Sequence, residues 1–127
     1  MFGLFRKNPL GTNEDQCTME IVSPETAQAW LAAGEAVLID VREDNEFAAE
    51  RIHGALSEPL SRFAPDHVVA LAGDKKIILQ CLSGKRSANA CRAFFEKTGR
   101  KPYRMEGCLT GWKNAGLPTE TGSVQES

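Results

Sequence analysis

The sequence predicts an α/β fold in which five parallel strands form one sheet between two layers of helices. Short apolar, β-branched runs, such as residues 77–79, alternate along the chain with segments of helical periodicity. Strands and helices that alternate in this way form parallel sheets with helices on both faces, joined by right-handed crossovers. The chain has 127 residues, of which 42% are hydrophobic and 25% are charged, and this composition suits one globular domain.

The first half of the chain predicts two strands, each followed by a helix. Ser23 and Pro24 are suited to the N-cap and the first position of a helix, and Gly34 is suited to ending it in the left-handed conformation. The elements predicted here are a strand at 19–22, a helix opened by Ser23, a strand at 36–40, and a short helix at 43–50.

The second half continues the alternation to a fifth strand. Pro65 interrupts a helical stretch that begins at Leu60, so this stretch must kink or restart there. Trp112 and Leu117 are expected to pack the last helix onto the sheet. The other predicted elements are strands at 55–57, 77–79 and 102–105, and a helix that ends at Gly99.

The chemistry concentrates in the loop that follows the fourth strand. Cys81 lies at the end of this strand, residues 82–86 lack apolar periodicity, and Ser87 is the predicted cap of the next helix. Backbone N–H groups of a tight loop and a helix N-terminus converge on an anion, and Lys85 and Arg86 add positive charge. A cysteine in this position is expected to have a lowered pKa and to act as a thiolate nucleophile. The loop alone leaves open a persulfide, thiosulfate, sulfonate, phosphate or arsenate as the bound anion.

Three motifs in this chain resemble those of single-domain rhodaneses, which are thiosulfate and persulfide sulfurtransferases. The active-site loop of that family is similar to CLSGKRS at residues 81–87. Its early signature is similar to LIDVRE at 38–43 with the residues that follow, and its late signature to GCLTGWKNAGLP at 107–118. The chain departs from the family pattern at Arg51 and His53, where His and Pro are usual, and at Cys108, where a second glycine is usual.

The resemblance implies the arrangement of the fold and the roles of the site residues. The strands would lie in the order third, second, fourth, fifth, first (3-2-4-5-1), in a rhodanese-like domain at 17–120. Residues 1–16 would be a flexible leader and residues 121–127 a polar tail. Cys81 would be the catalytic residue, with Asp40 and Arg42 supporting its loop. The anion would be bound by the loop itself: Leu82, Ser83, Gly84, Lys85, Arg86 and Ser87.

The predicted function is sulfur transfer through a persulfide on Cys81. The donor would be a small anion such as thiosulfate, glutathione persulfide or a polysulfide, and the acceptor cyanide in vitro and a thiol or carrier protein in the cell. No metal or organic cofactor is needed. The formal net charge of −2 does not favour nucleic acid or an anionic membrane as a partner, and a reducing cytoplasm is the expected location.

Two other functions are compatible with a cysteine loop of this kind. A cysteine phosphatase or arsenate reductase uses the same chemistry, but the related cell-cycle phosphatases have a loop one residue longer. A rhodanese-like module that only binds a partner would require an unreactive Cys81.

The remaining cysteines and the histidine near the motifs have simpler interpretations. Cys91 falls on the apolar stripe of the helix behind the loop and is predicted to be buried there. His53 is predicted to be a loop residue rather than a general base. Cys108 is predicted to follow the fifth strand, as an inert loop thiol or as a resolving thiol that attacks a Cys81 persulfide, releases sulfide and closes a disulfide.

Overall fold

A computed structural model describes residues 18–122, and these fold as strands alternating with helices. The strands are β1 (Glu20–Val22), β2 (Ala36–Asp40), β3 (Glu50–Arg51), β4 (Leu56–Ser57), β5 (Lys76–Gln80), β6 (Tyr103–Met105) and β7 (Glu120–Thr121). The helices are α1 (Pro24–Ala32), α2 (Asp44–Ala49), α3 (Pro65–Ala72), α4 (Lys85–Thr98) and α5 (Cys108–Asn114), with a 3-10 turn at Leu60–Arg62.

The main sheet is parallel and has five strands in the order β1-β6-β5-β2-β4. Counted as the five predicted strands, this is the order 3-2-4-5-1, so the predicted fold class and topology are confirmed. The two longest strands, β2 and β5, pair side by side at the centre of the sheet. Cys81 directly follows β5, so the fold places this thiol at the carboxyl edge near the middle of the sheet, where α/β proteins bind ligands.

The sheet separates two apolar cores because side chains alternate between its faces. In β5, Ile77 and Leu79 join the core under α3 and α4, whereas Ile78 joins the core under α1 and α5. Trp112 lies in the second core and Leu117 packs against it, as predicted. The two layers of helices fix β5 from both sides and therefore fix the position of Cys81.

The helix behind Cys81 begins earlier than predicted. Gly84 has φ +127 and occupies the N-cap position, and Lys85 is the first helical residue. The prediction of Ser87 as the cap is wrong: Ser87 is the third residue of the helix and is fully buried. A glycine can leave the loop with positive φ, so the helix starts directly behind it and Lys85 and Arg86 belong to its first turn.

A second, two-stranded sheet was not predicted. β3 and β7 pair antiparallel, with Glu50 opposite Thr121 and Arg51 opposite Glu120. Arg51 Nη1 donates to the Gly122 carbonyl at 2.9 Å, which adds a side-chain contact to this pairing. The predicted polar tail therefore begins within β7, while residues 123–127 and the predicted leader lie outside the described residues.

The N-terminus of α5 is packed too closely for a side chain at Gly111. A Cβ added there would collide with the backbone carbonyl of Glu106, so we expect Gly111→Ala to reduce the free energy of unfolding by about 2–3 kcal/mol. Elsewhere in a helix the same change stabilises by about 1 kcal/mol. Urea unfolding against the wild type checks this, and Gly54→Ala shows the effect of a positive φ alone, because that position has φ +84 but no atom within 4 Å. A Gly111→Ala chain that is at least as stable as the wild type would contradict the close packing.

Candidate active site

The sulfur of Cys81 is enclosed by the loop that follows β5. The amide of Gly84 donates to Cys81 Sγ at 3.1 Å and that of Ser87 donates at 3.3 Å. Both amides belong to the N-terminal turn of the 14-residue helix α4, whose dipole favours negative charge at this end. Cys81 exposes only 1% of its surface. The N–H groups of the loop therefore surround this sulfur in the way that they would surround a bound anion.

These contacts favour the thiolate. The hydrogen bond from the Cys108 thiol, together with those from Ser87 and from the Gly84 amide, lowers the pKa of Cys81 from 9.0 to about 4, although burial acts in the opposite direction. The contacts therefore favour the ionised form of the Cys81 side chain at neutral pH. The thiolate is the reactive form of cysteine, so Cys81 is the candidate nucleophile of this site.

Ser87 and Cys108 form the buried base of the site. Ser87 Oγ donates to the Gly84 carbonyl at 3.1 Å and lies 3.5 Å from Cys81 Sγ and 3.2 Å from Cys108 Sγ. The contact with Cys81, together with burial, raises the pKa of Cys108 above its ordinary range. Cys108 is the first residue of α5 rather than part of a loop, so the predicted loop position is wrong.

Helix α5 is attached to the same loop through its first amides. Leu109 N–H donates to the Cys81 carbonyl and Thr110 N–H donates to the Leu82 carbonyl, each at 3.0 Å. These groups have no acceptor within their own helix, so the loop supplies the acceptors they lack. These hydrogen bonds hold the start of α5, and with it Cys108, next to the Cys81 loop.

The two predicted cations have different environments. Arg86 forms a bidentate ion pair with Glu46, at 2.7 Å and 3.0 Å, whereas Lys85 is exposed. The Arg86 guanidinium lowers the pKa of Glu46 to about 2, so this carboxylate is ionised and offsets the charge of Arg86. The positive charge that was predicted at Arg86 is thus paired with a carboxylate. This ion pair joins α4 to α2.

Asp40 and Arg42 brace the strand that leads into the loop. Asp40 accepts hydrogen bonds from the side chain of Arg42 and, at 2.6 Å, from Gln80 Nε2, and Gln80 immediately precedes Cys81. Arg42 also donates to the carbonyls of Glu46 and Glu50. These contacts join β2 to β5 and to the segment around α2, next to Cys81.

Arg104 on β6 lies against the active-site loop, and its position was not predicted. Its Nη1 would lie 2.9 Å from a Cβ built on Gly84, and its Nε is buried without a hydrogen-bond partner. Only the parallel pairing of β5 with β6 brings this side chain to the loop, so no local motif could have indicated it. Leu82 and Ser83 are exposed and form the outer rim of the site.

Several other features of the described residues lie apart from Cys81. His53 is exposed and pairs with Glu120, consistent with a loop position. Within residues 18–122 no group of His, Cys, Asp and Glu is arranged to hold a metal ion, and no helix is long and apolar enough to cross a bilayer. A cavity of about 430 Å³ lies between α1 and β2, lined by side chains such as Leu31, Leu38 and Trp112. Cys81 does not line it.

The fold and the site together define a class of protein: an α/β domain with a candidate cysteine nucleophile in a strand–loop–helix anion site. The family model of the rhodanese-like domain matches residues 23–115. The chain therefore belongs to the rhodanese-like domain family.

Relatives and solved structures agree with this assignment. The chain is 39% identical to the uncharacterised protein slr1261 of Synechocystis over 77% of its own length and 54% of that protein. It is 26% identical to the thiosulfate sulfurtransferase GlpE of Glaesserella parasuis, over 83% of this chain and 96% of that one. The thiosulfate sulfurtransferase of Pseudomonas aeruginosa has the same fold, with a TM-score of 0.74 and 22% identity over 96% of this chain and 28% of that one. The chain spans about half the length of its cyanobacterial relative.

The ionised Cys81 makes the stability of the fold depend on pH. Because its pKa is lowered from 9.0 to about 4 on folding, the thiolate stabilises the folded chain above pH 9 and this contribution is lost as the pH falls towards 4. We expect the Tm of the wild type, relative to that of Cys81→Ser, to increase steadily from about pH 4 to about pH 8. Thermal unfolding of both chains across this range measures it, and a constant difference in Tm would contradict the ionised state.

Proposed function

We propose that this chain is a sulfurtransferase that carries sulfane sulfur as a persulfide on Cys81. The observation that supports this most is the pair of amide hydrogen bonds, from Gly84 and Ser87, to a buried Cys81 sulfur. They stabilise a sulfur anion without any metal or organic group. Relatives named as sulfurtransferases add support to the class of reaction.

In the first half-reaction the Cys81 thiolate attacks the outer sulfur of the donor. A new S–S bond forms, the old one breaks, and the leaving group departs with the bonding electron pair as sulfite from thiosulfate or as a thiolate from a persulfide. Cys81 becomes the persulfide anion Cys81–S–S⁻. Because Cys81 exposes only 1% of its surface, the donor has to present a single protruding sulfur atom. This requirement favours small sulfur donors over bulky ones.

The persulfide is held by the same end of α4 that holds the thiolate. The terminal sulfur of a persulfide is anionic at neutral pH and extends beyond the position of Sγ. Lys85 and Arg86 lie in the first turn, where backbone N–H groups have no acceptor within the helix. We propose that these amides bind the terminal sulfur, so that the negative charge is stabilised before and after transfer.

In the second half-reaction a nucleophilic acceptor removes the terminal sulfur. Cyanide in vitro, or a thiol or carrier protein in the cell, attacks that sulfur and restores the Cys81 thiolate as the leaving group. The thiolate is a good leaving group because the loop stabilises its charge. The exposed rim residues Leu82 and Ser83 are the first surface that an acceptor protein would meet.

The choice of donor depends on the positive charge that remains unpaired. Glu46 neutralises Arg86, so the cations left near the loop are Lys85, which is exposed, and Arg104, which lies against Gly84. Both would attract a small anion such as thiosulfate, glutathione persulfide or a polysulfide. The name of the relative GlpE supports thiosulfate as one donor.

Intact mass spectrometry tests the persulfide directly. We expect the reduced wild-type chain to gain one sulfur, about 32 Da, after incubation with thiosulfate or glutathione persulfide, and Cys81→Ser to gain none. Cys91→Ala is the matched control, because it removes another buried thiol and should still gain the sulfur. Cyanide should then remove the added mass. If neither donor adds sulfur to a wild-type chain whose Cys81 is reduced, the proposed function fails.

A further inference from the structure

The backbone at Cys108 adopts a conformation that ordinary residues avoid. Cys108 has φ +50 and is the one non-glycine residue with positive φ among the described residues. A residue with a Cβ is strained in the left-handed conformation, and such strained positions cluster at functional sites. A glycine would avoid this strain. Cys108 thus has a side chain at a position whose backbone conformation favours glycine.

The surroundings fix this thiol beneath Cys81. Cys108 is fully buried, and its Sγ lies 3.2 Å from Ser87 Oγ, which in turn lies 3.5 Å from Cys81 Sγ. The amides of Leu109 and Thr110 connect α5 to the loop carbonyls of Cys81 and Leu82, so backbone hydrogen bonds hold Cys108 at the loop. The two cysteines and Ser87 form one buried hydrogen-bonded group.

The negative charge of this group belongs on Cys81. Two amides at the start of α4, those of Gly84 and Ser87, point at Cys81 Sγ. The first amides of α5 are directed to the loop carbonyls instead, so a thiolate on Cys108 would be favoured only by the Cys81 backbone and the Ser87 side chain, which Cys81 also contacts. Two adjacent buried thiols cannot both ionise near neutral pH, because the charges would repel each other in a site of low polarity. One proton therefore stays in the group, and it stays on Cys108.

We propose that Cys108 is a positioning residue that retains its proton and donates it towards the Cys81 sulfur, so that the nucleophile keeps the charge of the pair. This inference deepens the proposed function, because it concerns the same nucleophile, but its test requires no sulfur transfer. It also replaces the alternative in which Cys108 attacks a Cys81 persulfide. A thiol that remains protonated is a poor nucleophile, so the persulfide persists until an external acceptor arrives.

Three substitutions separate hydrogen bonding from packing at this position. Cys108→Gly removes the donor and relieves the positive φ, Cys108→Ala removes the donor and keeps the Cβ, and Cys108→Ser restores a hydrogen-bond donor. Cys91→Ala is the control, because Cys91 is equally buried but lies on α4, with its sulfur near the Tyr103 carbonyl.

The pKa of Cys81 in each folded variant is measured from the cysteine ¹³Cβ chemical shift as a function of pH. We expect the titration midpoint of Cys81 to rise by about one pH unit or more in Cys108→Gly and Cys108→Ala. It should stay closer to the wild-type value in Cys108→Ser and remain unchanged in Cys91→Ala. Midpoints within a few tenths of the wild type in the Gly and Ala variants would overturn the proposal.

A second measurement needs no substitution at Cys108. In the wild type the ¹³Cβ signal of Cys108 should remain at the thiol position across the pH range in which Cys81 is ionised. A thiolate on Cys108 at neutral pH would overturn the proposal even if the Gly and Ala variants fail to fold. The mass measurement of the persulfide is independent of both results. If the Cys108 variants raise the titration midpoint of Cys81 as expected but the wild type gains no sulfur, the proposed function is rejected while this inference stands.

Discussion

The structure of the site depends on stabilising one buried negative charge at the end of β5. A thiolate that exposes 1% of its surface would be costly unless hydrogen bonds replaced the lost water. The amides of Gly84 and Ser87 provide that replacement, and they point at the sulfur because the helix begins directly behind the loop. The start of α4 therefore determines whether Cys81 can react. Its position follows from Gly84, the one loop residue that adopts φ +127 without strain.

A connected set of buried and half-buried polar side chains keeps this helix start in place. Gln80 binds Asp40, which binds Arg42, and Arg42 holds the carbonyl of Glu46. The carboxylate of Glu46 in turn binds Arg86 on α4. Side chains from β2, α2, β5 and α4 are thereby fixed to one another around the thiol, which suits a site that must hold its geometry without a substrate. Charged residues beside the loop thus contribute mainly to its rigidity.

More of the fold than of the site could be predicted from the sequence. Apolar runs and helix signals such as Ser23-Pro24 located the strands and helices, and the resemblance to rhodaneses supplied their order. Ser87 was misassigned as a cap because serine is a common N-cap, whereas the φ of Gly84 decided where the helix began. The partners Glu46 and Arg104 are separated from the loop by many residues, so only the folded chain brings them to it. The short pairing of β3 with β7 carries no periodicity that a sequence could reveal.

The family of this chain and the geometry of its site give different information about its function. Membership of the rhodanese-like domain family fixes the fold and the class of chemistry to be tested. The hydrogen bonds around Cys81 explain why a sulfur anion would be stable at this place. We propose that the buried Cys108 keeps the negative charge on the nucleophile. If Cys108 keeps its proton as we propose, the departure of this chain from the usual second glycine is part of its chemistry.

The most direct test of the central claim is the pH dependence of the first chemical step. In a single turnover after rapid mixing with thiosulfate, the rate of Cys81 persulfide formation should be proportional to the fraction of Cys81 that is thiolate. It is predicted to fall on acidification with a midpoint near pH 4 and to be level through neutral pH. A rate that instead rises through about pH 8 to 9, as for an unperturbed cysteine, would contradict the account.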